Sequence, residues 1–449
     1  MKNLKKQFQG KKITVMGLGL LGRGLGVAKF LAECGTNLIV TDLKPSTALR
    51  SSIKELRTYK NITYRLGEHK IEDFRNRDMI IKSAGVPLNS PYIKEAKKNK
   101  IPIEMDVSLF TKLAPEVKIV GVTGTRGKSM TTALIYEILK QNEKWLKRNV
   151  YIGGNVRGVA TLPLLKKVEK GDILVCELDS WQLQGFGDAK ISPQISIFTS
   201  FMPDHMNYYH NSMKKYFEDK ANIFKYQKKN DILIIRPDIK KIIKKSNVKG
   251  KLIIVNAKNV DKYGLVIPGK FQKENLACAI EVAKRFNISD SKIIQALKNF
   301  KGLEGRLQYV KTVRGVKIYN DNNATTPEAT MAGIEALSVS AKPYKEKIVL
   351  ICGGADKDLP LNDFVKVINK YCKAVIMIPG TGTDKLVSGA RVLVYSKYVR
   401  DLKEAVKEAV KQSKKGDIIL FSPAFASFGQ FNNEYERNDL FMKIVKKLK

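Results

Sequence analysis

Short apolar runs alternate with amphipathic stretches along the chain, and this alternation is typical of repeated strand–helix units. Before about residue 107, strand-like runs occupy residues 12–16, 37–41 and 79–82, and residues 22–34 have helical spacing. Strands separated by helical stretches favour a parallel sheet, because the helix returns the chain to the edge where the first strand began. The pattern therefore predicts a small parallel α/β sheet in the first segment.

Two later segments repeat the alternation without internal repeats or low-complexity linkers. A chain of 449 residues is too long for one core and is typical of about three domains. The stretch 300–305 is the clearest linker, and we predict domains at 1–107, 108–301 and 302–449. Strands are expected at 118–122, 173–177 and 194–199, then at 316–319, 348–352, 374–378, 391–395 and 418–421, with helices at 212–226, 273–286 and 399–412.

The composition indicates a folded protein outside the membrane, since 43% of the residues are hydrophobic. No apolar run reaches the roughly 18–20 residues of a membrane helix, and no signal-peptide core precedes the first predicted strand. Five cysteines lie far apart without a CxxC pair, which predicts buried single thiols in a reducing compartment. We therefore expect a cytoplasmic protein without membrane insertion.

The net charge of +38 points towards anionic partners. The basic residues are mostly lysines spread along the whole chain, and no zinc-finger spacing or aromatic–basic RNA-binding signature accompanies them. We therefore expect no dedicated nucleic-acid site. We expect the charge to help attract a phosphorylated substrate.

A glycine-rich turn follows the predicted strand 118–122 and reads Gly124-Thr125-Arg126-Gly127-Lys128-Ser129-Met130. Backbone amides in such a turn, together with the positive end of the following helix, bind phosphate oxygens. In the general motif the lysine reaches the β- and γ-phosphates and the serine hydroxyl binds Mg²⁺. Val122 stands where that motif has its first glycine. An ATP-binding enzyme is favoured over a glycine-rich turn that contains Gly-Lys-Ser by chance.

A second glycine-rich turn, Gly17-x-Gly19-x-x-Gly22, follows the first predicted strand. Asp42 comes 20 residues after the third glycine, as in a dinucleotide fingerprint with amides for pyrophosphate and a carboxylate for ribose. The pattern predicts a nucleotide-like ligand and does not specify NAD. A purely structural turn of this type is the alternative.

Two further side chains lie at or after the carboxyl ends of predicted strands, which is where ligands bind in open α/β sheets. Glu177 ends the apolar run 173–177 and is a candidate Mg²⁺ ligand, with capping of the next helix as the alternative. His205 lies beside Asp204 after the run 194–199 and is a candidate metal ligand, although surface histidines are common in such loops.

Taken in order, these motifs resemble the Mur ligase family. The similar blocks are Gly124–Ser129, Gly154-Asn155, Glu177–Leu183, Asp204–Asn207, Tyr216–Phe224 around Lys220, Gly302–Arg306, Asn320–Thr325, Gly353–Lys357 and Ser422–Ser427. They span essentially the whole chain. The last block, the Asn-Asp-x-x-Ala-Thr block and the length are most similar to the members that add glutamate to UDP-N-acetylmuramoyl-L-alanine.

The resemblance implies an α/β fold of three domains: an N-terminal Rossmann-like UDP domain, a central P-loop ATPase domain and a C-terminal Rossmann-like domain that closes over the site. It implies that ATP phosphorylates the substrate carboxylate and that the amine of D-glutamate attacks the acyl phosphate, in cytoplasmic peptidoglycan precursor synthesis. Closure would protect the acyl phosphate from water. A monomer acting on small molecules is expected.

The resemblance also implies roles for individual residues. Lys128, His205 and Lys220 would be catalytic, and two Mg²⁺ sites would use Ser129 and Glu177, then His205 and a Lys220 that is carbamylated by CO₂. ATP would be bound by Gly124, Thr125, Arg126, Gly127, Lys128, Ser129, Met130, Asn275, Arg306 and Asp321. The substrates would be bound by Asp42, Leu43, Lys44, Ser83, Gly85, Asn155, Lys357, Ser427 and Phe428. Without the resemblance, Lys220 would be counted as a surface lysine.

Three positions depart from the family pattern. Gln272 replaces the usual adenine-side residue while Asn275 is retained, Asp179 replaces a common serine, and Asn323 stands where a lysine is usual. Asn323 leaves open a related ligase for another amino acid, including L-glutamate. A folylpolyglutamate-type ligase with the same mechanism is an equally near alternative. Two more distant interpretations are a non-catalytic nucleotide-dependent polyanion-binding protein and a nicotinamide enzyme.

Overall fold

Three sheets built around parallel strands organise the chain. The computed structural model describes residues 2–244, 246–264, 269–298, 300, 302–339, 348–389 and 392–448. The chain divides into two compact units, one of residues Met1–Tyr263 and Glu274–Leu297 and the other of Gly264–Lys273 and Lys298–Lys449. The first unit contains two of the sheets and the second unit contains the third.

The first sheet is fully parallel and has the strand order β3-β2-β1-β4-β5. The chain proceeds from β1 outward on one side and returns to β4 on the other, so the ends of β1 and β4 form a topological switch point where ligands bind. Its elements are α1 (Lys2–Phe8), β1 (Lys12–Met16), α2 (Arg23–Glu33), β2 (Asn37–Asp42), α3 (Arg50–Leu56), β3 (Ile62–Leu66), β4 (Met79–Lys82), α4 (Pro91–Lys98), β5 (Ile103–Glu104) and α5 (Asp106–Leu113).

The second sheet is also parallel, with the order β11-β10-β9-β6-β8-β7. Here the switch point lies between β6 and β9. Its elements are β6 (Lys118–Thr123), α6 (Lys128–Gln141), α7 (Glu143–Leu146), β7 (Val150–Gly154), β8 (Ile173–Glu177), α8 (Ser180–Asp188), β9 (Ile195–Phe198), α9 (Met213–Ala221), β10 (Ile232–Ile235), α10 (Lys240–Ile243), β11 (Lys251–Ile254), α11 (Lys270–Arg285) and α12 (Asp290–Leu297).

The third sheet has the order β12-β13-β17-β14-β15-β16, in which only the β12–β13 pair is antiparallel. Its elements are β12 (Gln308–Val313), β13 (Val316–Asn320), α13 (Pro327–Val339), β14 (Ile348–Cys352), α14 (Asn362–Tyr371), β15 (Cys372–Met377), α15 (Thr381–Gly389), β16 (Tyr395–Tyr398), α16 (Leu402–Lys411), β17 (Ile418–Phe421) and α17 (Glu434–Lys446). The ends of β13, β17 and β14 are adjacent, which places their following loops together.

The central strands of the sheets are buried on both faces, which explains why they read as continuous apolar runs. Every residue of β8, β9, β14 and β17 is buried. These strands were predicted within one residue at each end. The two predicted Rossmann-like sheets and the central sheet are confirmed.

One edge strand and one helix differ from their predicted bounds. The strand predicted at 391–395 is wrong over residues 392–394, because pairing with β15 begins only at Tyr395 and continues to Tyr398. The preceding Leu393 is exposed, and its backbone N–H donates to the Asn369 side chain. Arg391 lies outside the described residues. The predicted helix 212–226 is also too long, since α9 ends at Ala221. Edge strands pack on fewer neighbours, so their apolar pattern specifies their ends less well.

All five cysteines are buried free thiols, as predicted: Cys34, Cys176, Cys278, Cys352 and Cys372. In the part of the chain that the structure describes, no helix is long and apolar enough to cross a membrane.

Candidate active site

The phosphate-loop candidate lies between the end of β6 and the start of α6, at the switch point of the second sheet. Gly127 begins the helix in the left-handed region, with φ 88° and ψ −14°. Gly124 has φ 144°, and a Cβ there would collide with Thr199 and Ser200. Only glycine tolerates both conditions, so the predicted turn is the one that forms.

The loop after β9 supports this turn through one backbone carbonyl and two hydroxyl groups. The backbone N–H of Thr125 donates to Ser200 O at 2.8 Å, and that of Arg126 donates to Ser200 Oγ at 2.8 Å. Thr199 Oγ1 donates to Arg126 O at 2.5 Å. Sequence reasoning did not single out Thr199 or Ser200. The sequence signal that could have identified them is a pair of hydroxyl residues directly after a buried strand at the switch point.

Two lysines converge on one carbonyl oxygen of the loop. Lys128 Nζ donates to Gly124 O at 3.1 Å, and Lys220 Nζ donates to the same oxygen at 2.8 Å. Lys220 extends from α9, is only 1% exposed, and its Nζ lies 4.8 Å from the centre of the Tyr216 ring. Burial, and then the charge of Lys128, hold the pKa of Lys220 well below its usual range. The structure thus excludes the reading of Lys220 as a surface lysine.

The carboxylate candidate on β8 is buried beside the loop. Glu177 is 5% exposed and pairs in register with Val122 of β6. It does not cap the next helix, because the Asp179 side chain caps α8 by accepting from Gln182 N at 2.7 Å. The capping alternative for Glu177 is therefore wrong, and the departure at Asp179 supplies the cap. Asn155 N donates to Glu177 O at 2.7 Å, which brings Asn155 to the same sheet edge.

His205 lies in the loop after β9 with a left-handed backbone, φ 54°. Its ring packs against Trp181 with 4.8 Å between centroids, and burial lowers its pKa although Asp204 opposes the shift. Asp204 in turn accepts from Arg126 Nη1 at 3.1 Å. Trp181 was missed as a residue that positions His205, because nothing in the sequence pairs a helix residue with a histidine two elements later.

The donor set around the loop suits magnesium better than a protein-only metal site. Among the described residues, no group of three or more His, Cys, Asp or Glu side chains is arranged to hold a metal ion. Magnesium usually takes one or two protein oxygens and completes its shell with phosphates and water. One hydroxyl, Ser129, and one buried carboxylate, Glu177, fit that requirement when a nucleotide is bound.

The candidates for uridine binding gather at the ends of β1, β2 and β4. Asp42 accepts two backbone N–H groups, from Gly19 at 2.8 Å through Oδ2 and from Lys44 at 2.9 Å through Oδ1. Leu43 and Ser83 are exposed, and so is Gly85. A Cβ on Gly17 would collide with the Ser83 side chain, so the first glycine turn lies against the loop after β4.

In the second unit, the candidate loops follow β13, β14 and β17. Asp321 is buried, accepts from Ser422 Oγ and from Leu307 N at 2.9 Å each, and burial raises its pKa to about 7. Lys357 Nζ donates to Thr325 Oγ1 at 3.2 Å. Paired backbone bonds between Ala355 and Ala426 join the Lys357 loop to the loop of Ser427 and Phe428.

A buried arginine that the sequence did not reveal connects two of these loops. Arg437 of α17 is 0% exposed and donates to Asn322 Oδ1 at 2.9 Å, Asn322 O at 3.0 Å and Phe425 O at 3.3 Å. Burial lowers its pKa to about 10. A guanidinium with several donors is suited to hold two loops at once.

The two units separate the remaining candidates. Asn275 lies in the first unit and accepts from Thr131 Oγ1 at 3.3 Å, beside Gly127. Gln272 is buried in the second unit. Arg306 and Asn323 also belong to the second unit, where Asn323 N donates to Gly305 O at 2.9 Å. The structure thus forms three local clusters of candidates, two in the first unit and one in the second.

Family models match in the order of the sheets. Residues 11–104 match the Mur ligase MurD-like N-terminal domain, residues 122–263 the Mur ligase middle domain, and residues 305–425 the Mur ligase, glutamate ligase domain. The UDP-N-acetylmuramoylalanine–D-glutamate ligase of Borreliella afzelii (strain PKo) is 37% identical over 98% of this chain and 98% of its own length. The chain belongs to the Mur ligase family.

Further relatives and solved structures agree with the family. The ligase of the same name from Bacillus cytotoxicus is 33% identical over 98% of each chain. The Mur ligase fold is shared with MurC of Thermotoga maritima, with a TM-score of 0.63 and 19% identity over 98% of this chain and 100% of that one. MurF of the same organism, solved in complex with ADP, has a TM-score of 0.58 and 18% identity over 100% of both chains. The expected three-domain Mur ligase architecture is confirmed.

Proposed function

We propose that this Mur ligase is an ATP-dependent enzyme that joins D-glutamate to UDP-N-acetylmuramoyl-L-alanine through an amide bond. The full-length match carries this proposal, because relatives named for that reaction are 32–37% identical over 98–99% of this chain. The match spans all three sheets and therefore all three clusters of candidate residues. We place the reaction in the cytoplasm, in a monomer with domain boundaries near residues 107 and 301.

The turn Gly124–Ser129 is proposed to bind the ATP phosphates. Its backbone amides and the start of α6 favour anions, and Lys128 supplies a positive charge for the β- and γ-phosphates. Thr199 and Ser200 hold the turn in shape before ATP arrives. A preformed turn needs little rearrangement, so the charge that develops during phosphoryl transfer is stabilised at once. MurF, which shares this fold, was solved with ADP, and this supports an adenine nucleotide as the ligand of the enzyme.

We assign two Mg²⁺ sites to this edge of the sheet. Ser129 and Glu177 would hold the first ion, and His205 with carbamylated Lys220 would hold the second. Bound Mg²⁺ would neutralise phosphate charge that the protein cations leave uncompensated. Trp181 keeps the His205 ring in place, and the buried Glu177 carboxylate is held at the end of a central strand.

The Lys220 assignment is supported by its position at the loop. Its Nζ lies against Gly124 O, where a buried ammonium beside Lys128 is disfavoured. A neutral amine can attack the carbon of CO₂, forming an N–C bond and releasing one proton. The product is an anionic carbamate in place of the neutral amine. Its negative charge would be attracted to the Lys128 ammonium.

The proposed reaction has two steps. A carboxylate oxygen of UDP-N-acetylmuramoyl-L-alanine attacks the γ-phosphorus of ATP and releases ADP, which converts a poor leaving group into an acyl phosphate. The amine of glutamate then attacks the acyl carbon, loses a proton, and phosphate leaves from the tetrahedral intermediate. Lys128 stabilises the phosphoryl charge in the first step.

The uridine nucleotide and the glutamate are assigned to the remaining two clusters of candidate residues. Asp42, with its two backbone bonds, is placed at the uridine nucleotide, and Lys357 offers a cation that suits a glutamate carboxylate. The complete proposed sets are Asp42, Leu43, Lys44, Ser83 and Gly85 for the nucleotide, Asn155 for the acyl end, Lys357, Ser427 and Phe428 for glutamate, and Asn275, Arg306 and Asp321 for ATP beyond the phosphate turn.

A second candidate function is a related ligase with another amino acid, and Asn323 favours it. The family usually has lysine there, whereas the side-chain amide of Asn323 donates to Glu304 O at 3.4 Å. Loss of a cation beside the Asn320–Thr325 loop would weaken recognition of one carboxylate. L-glutamate is the nearest such substrate.

Phosphate release from ATP in the presence of UDP-N-acetylmuramoyl-L-alanine tests the proposal, with D-glutamate, L-glutamate and meso-diaminopimelate in parallel. Release that depends on D-glutamate is expected. Release with only one of the other amino acids would favour the second candidate. No release with any of them would contradict both.

A further inference from the structure

Arg23 is the first residue of α2 and directly follows the first glycine turn. Its Nη1 donates to Asn155 Oδ1 at 2.8 Å, across 132 residues of chain. The two residues belong to different sheets of the first unit, since Asn155 follows β7 of the second sheet. Neither the sequence motifs nor the proposed reaction assigns a role to Arg23.

The contact determines how the Asn155 amide is oriented. A guanidinium only donates hydrogen bonds, so the amide oxygen must face Arg23 and the NH₂ group must face the other way. The backbone of Asn155 is held as well, because its N–H donates to Glu177 O at 2.7 Å. An asparagine fixed in this manner presents N–H donors to an acceptor and does not present its carbonyl oxygen.

The surrounding loops are held together independently of this hydrogen bond. Gly158 N donates to Leu21 O at 3.0 Å, and a Cβ on Gly22 would lie 3.3 Å from Gly158 Cα. Further along, Asp106 accepts from Thr161 N at 2.8 Å and from Leu162 N at 2.6 Å. The Arg23–Asn155 bond therefore joins two segments that already touch. Its specific contribution is the direction of one side chain.

We propose that Arg23 is a positioning residue, which orients Asn155 so that its amide N–H groups meet an oxygen of the acyl end of the substrate. The inference rests on the proposed function for the assignment of Asn155 to that substrate. It deepens that function by naming the acceptor chemistry, a carbonyl or carboxylate oxygen. It also links the turn that binds the nucleotide end to the residue that binds the acyl end.

A double-mutant cycle tests the inference with the whole enzyme. The variants are Arg23→Met, Arg23→Lys, Asn155→Ala and the Arg23→Met/Asn155→Ala pair. Arg23→Met is expected to lower kcat/KM for UDP-N-acetylmuramoyl-L-alanine by about 10- to 100-fold, with the KM for ATP unchanged. Arg23→Lys should recover part of the loss. The double variant should be no worse than Asn155→Ala alone, because Arg23 acts through Asn155.

Arg50→Met is the matched control, since Arg50 is also the first residue of a helix on the same sheet and is exposed. Its kinetics should equal those of the wild type, and thermal unfolding should show that all variants fold. Losses that add in the double variant, or a fully active Arg23→Met, would overturn the inference while wild-type turnover upholds the function. An inactive wild type would instead overturn the proposed function, and with it the assignment of Asn155.

Discussion

The two glycine turns of the first unit end in the same backbone conformation but differ in the side chains around them. Gly22 and Gly127 each begin a helix in the left-handed region, at φ 81°, ψ −15° and φ 88°, ψ −14°. Each turn follows the strand at the switch point of its sheet. The cation after Gly127, Lys128, folds back onto its own turn, whereas the cation after Gly22, Arg23, reaches another sheet.

The acidic residue next to each turn, Asp42 or Glu177, also has different surroundings in the two cases. Asp42 accepts backbone N–H groups from Gly19 and Lys44, so its carboxylate is already engaged in shaping the first turn. Glu177 is buried beside the second turn at the end of an adjacent strand. A turn of this shape provides amides for any phosphate. Under the proposed function, the side chains around each turn would decide whether a uridine diphosphate or a triphosphate with Mg²⁺ is the better ligand.

The largest effect is expected from Lys128→Ala, which removes the cation of the second turn only. Phosphate release should fall by about 100- to 1,000-fold, as for the loss of one preorganised charge partner. Binding of UDP-N-acetylmuramoyl-L-alanine, measured by calorimetry, should persist, because the first turn is intact. Lys140→Ala, in the exposed last turn of the same helix, is the control. Near-normal turnover by Lys128→Ala would contradict the phosphate assignment.

Lys220→Ala should lower turnover by about 100-fold, and short carboxylates such as acetate should restore part of it by replacing the carbamate anion. Unchanged activity would exclude the carbamate role. The signal to follow is kcat with and without acetate.

The pH dependence of recovery after CO₂ is removed and returned also tests the carbamate role of Lys220. Only the neutral amine reacts with CO₂, and burial holds the pKa of Lys220 well below 10.5. After removal of CO₂ and its return at the same dissolved CO₂ concentration at every pH, the initial rate of recovery should rise with pH and level off well below pH 10.5. A rate of recovery that declines as the pH rises would contradict the proposed reaction of the neutral Lys220 amine with CO₂.

Alanine in place of the last glycine of each turn, Gly22 or Gly127, is expected to raise the KM for a different substrate. Alanine at either position must adopt a positive φ, which costs about 1–2 kcal/mol, or about 5- to 30-fold in binding. Gly127→Ala also places a Cβ against Asn275 and should raise the KM for ATP. Gly22→Ala should raise the KM for UDP-N-acetylmuramoyl-L-alanine. If both variants change the same KM, the two turns do not serve separate ligands.

Asp42→Asn should give the smallest effect, a rise of about 3- to 10-fold in the KM for the uridine substrate with kcat retained. The amide NH₂ would face one of the two backbone N–H groups that the carboxylate accepts. Asp78→Asn is the matched control, because Asp78 also accepts a backbone N–H, from Lys12, at the opposite end of β1. Equal changes in KM for both variants would show a general loss of stability.

Much of the fold was predictable, because the central strands are buried on both faces and read as apolar runs of strand length. The phosphate turn was predictable for a similar reason, since Gly124 and Gly127 are required by local backbone geometry. Lys220 was singled out only through the resemblance to the family, because a buried lysine looks like any other lysine in the sequence. The roles assigned to these residues stay predictions until the variants are measured.

Local sequence by itself determined the glycine turns, the buried strands between them and the order of the three α/β segments, because backbone preferences and side-chain periodicity act over a few residues. Tertiary structure alone decided that Lys128 and Lys220 share one carbonyl, that Trp181 packs on His205, and that Arg23 donates to Asn155. These contacts join residues from different elements. Their geometry depends on strand order and packing, which no local pattern records.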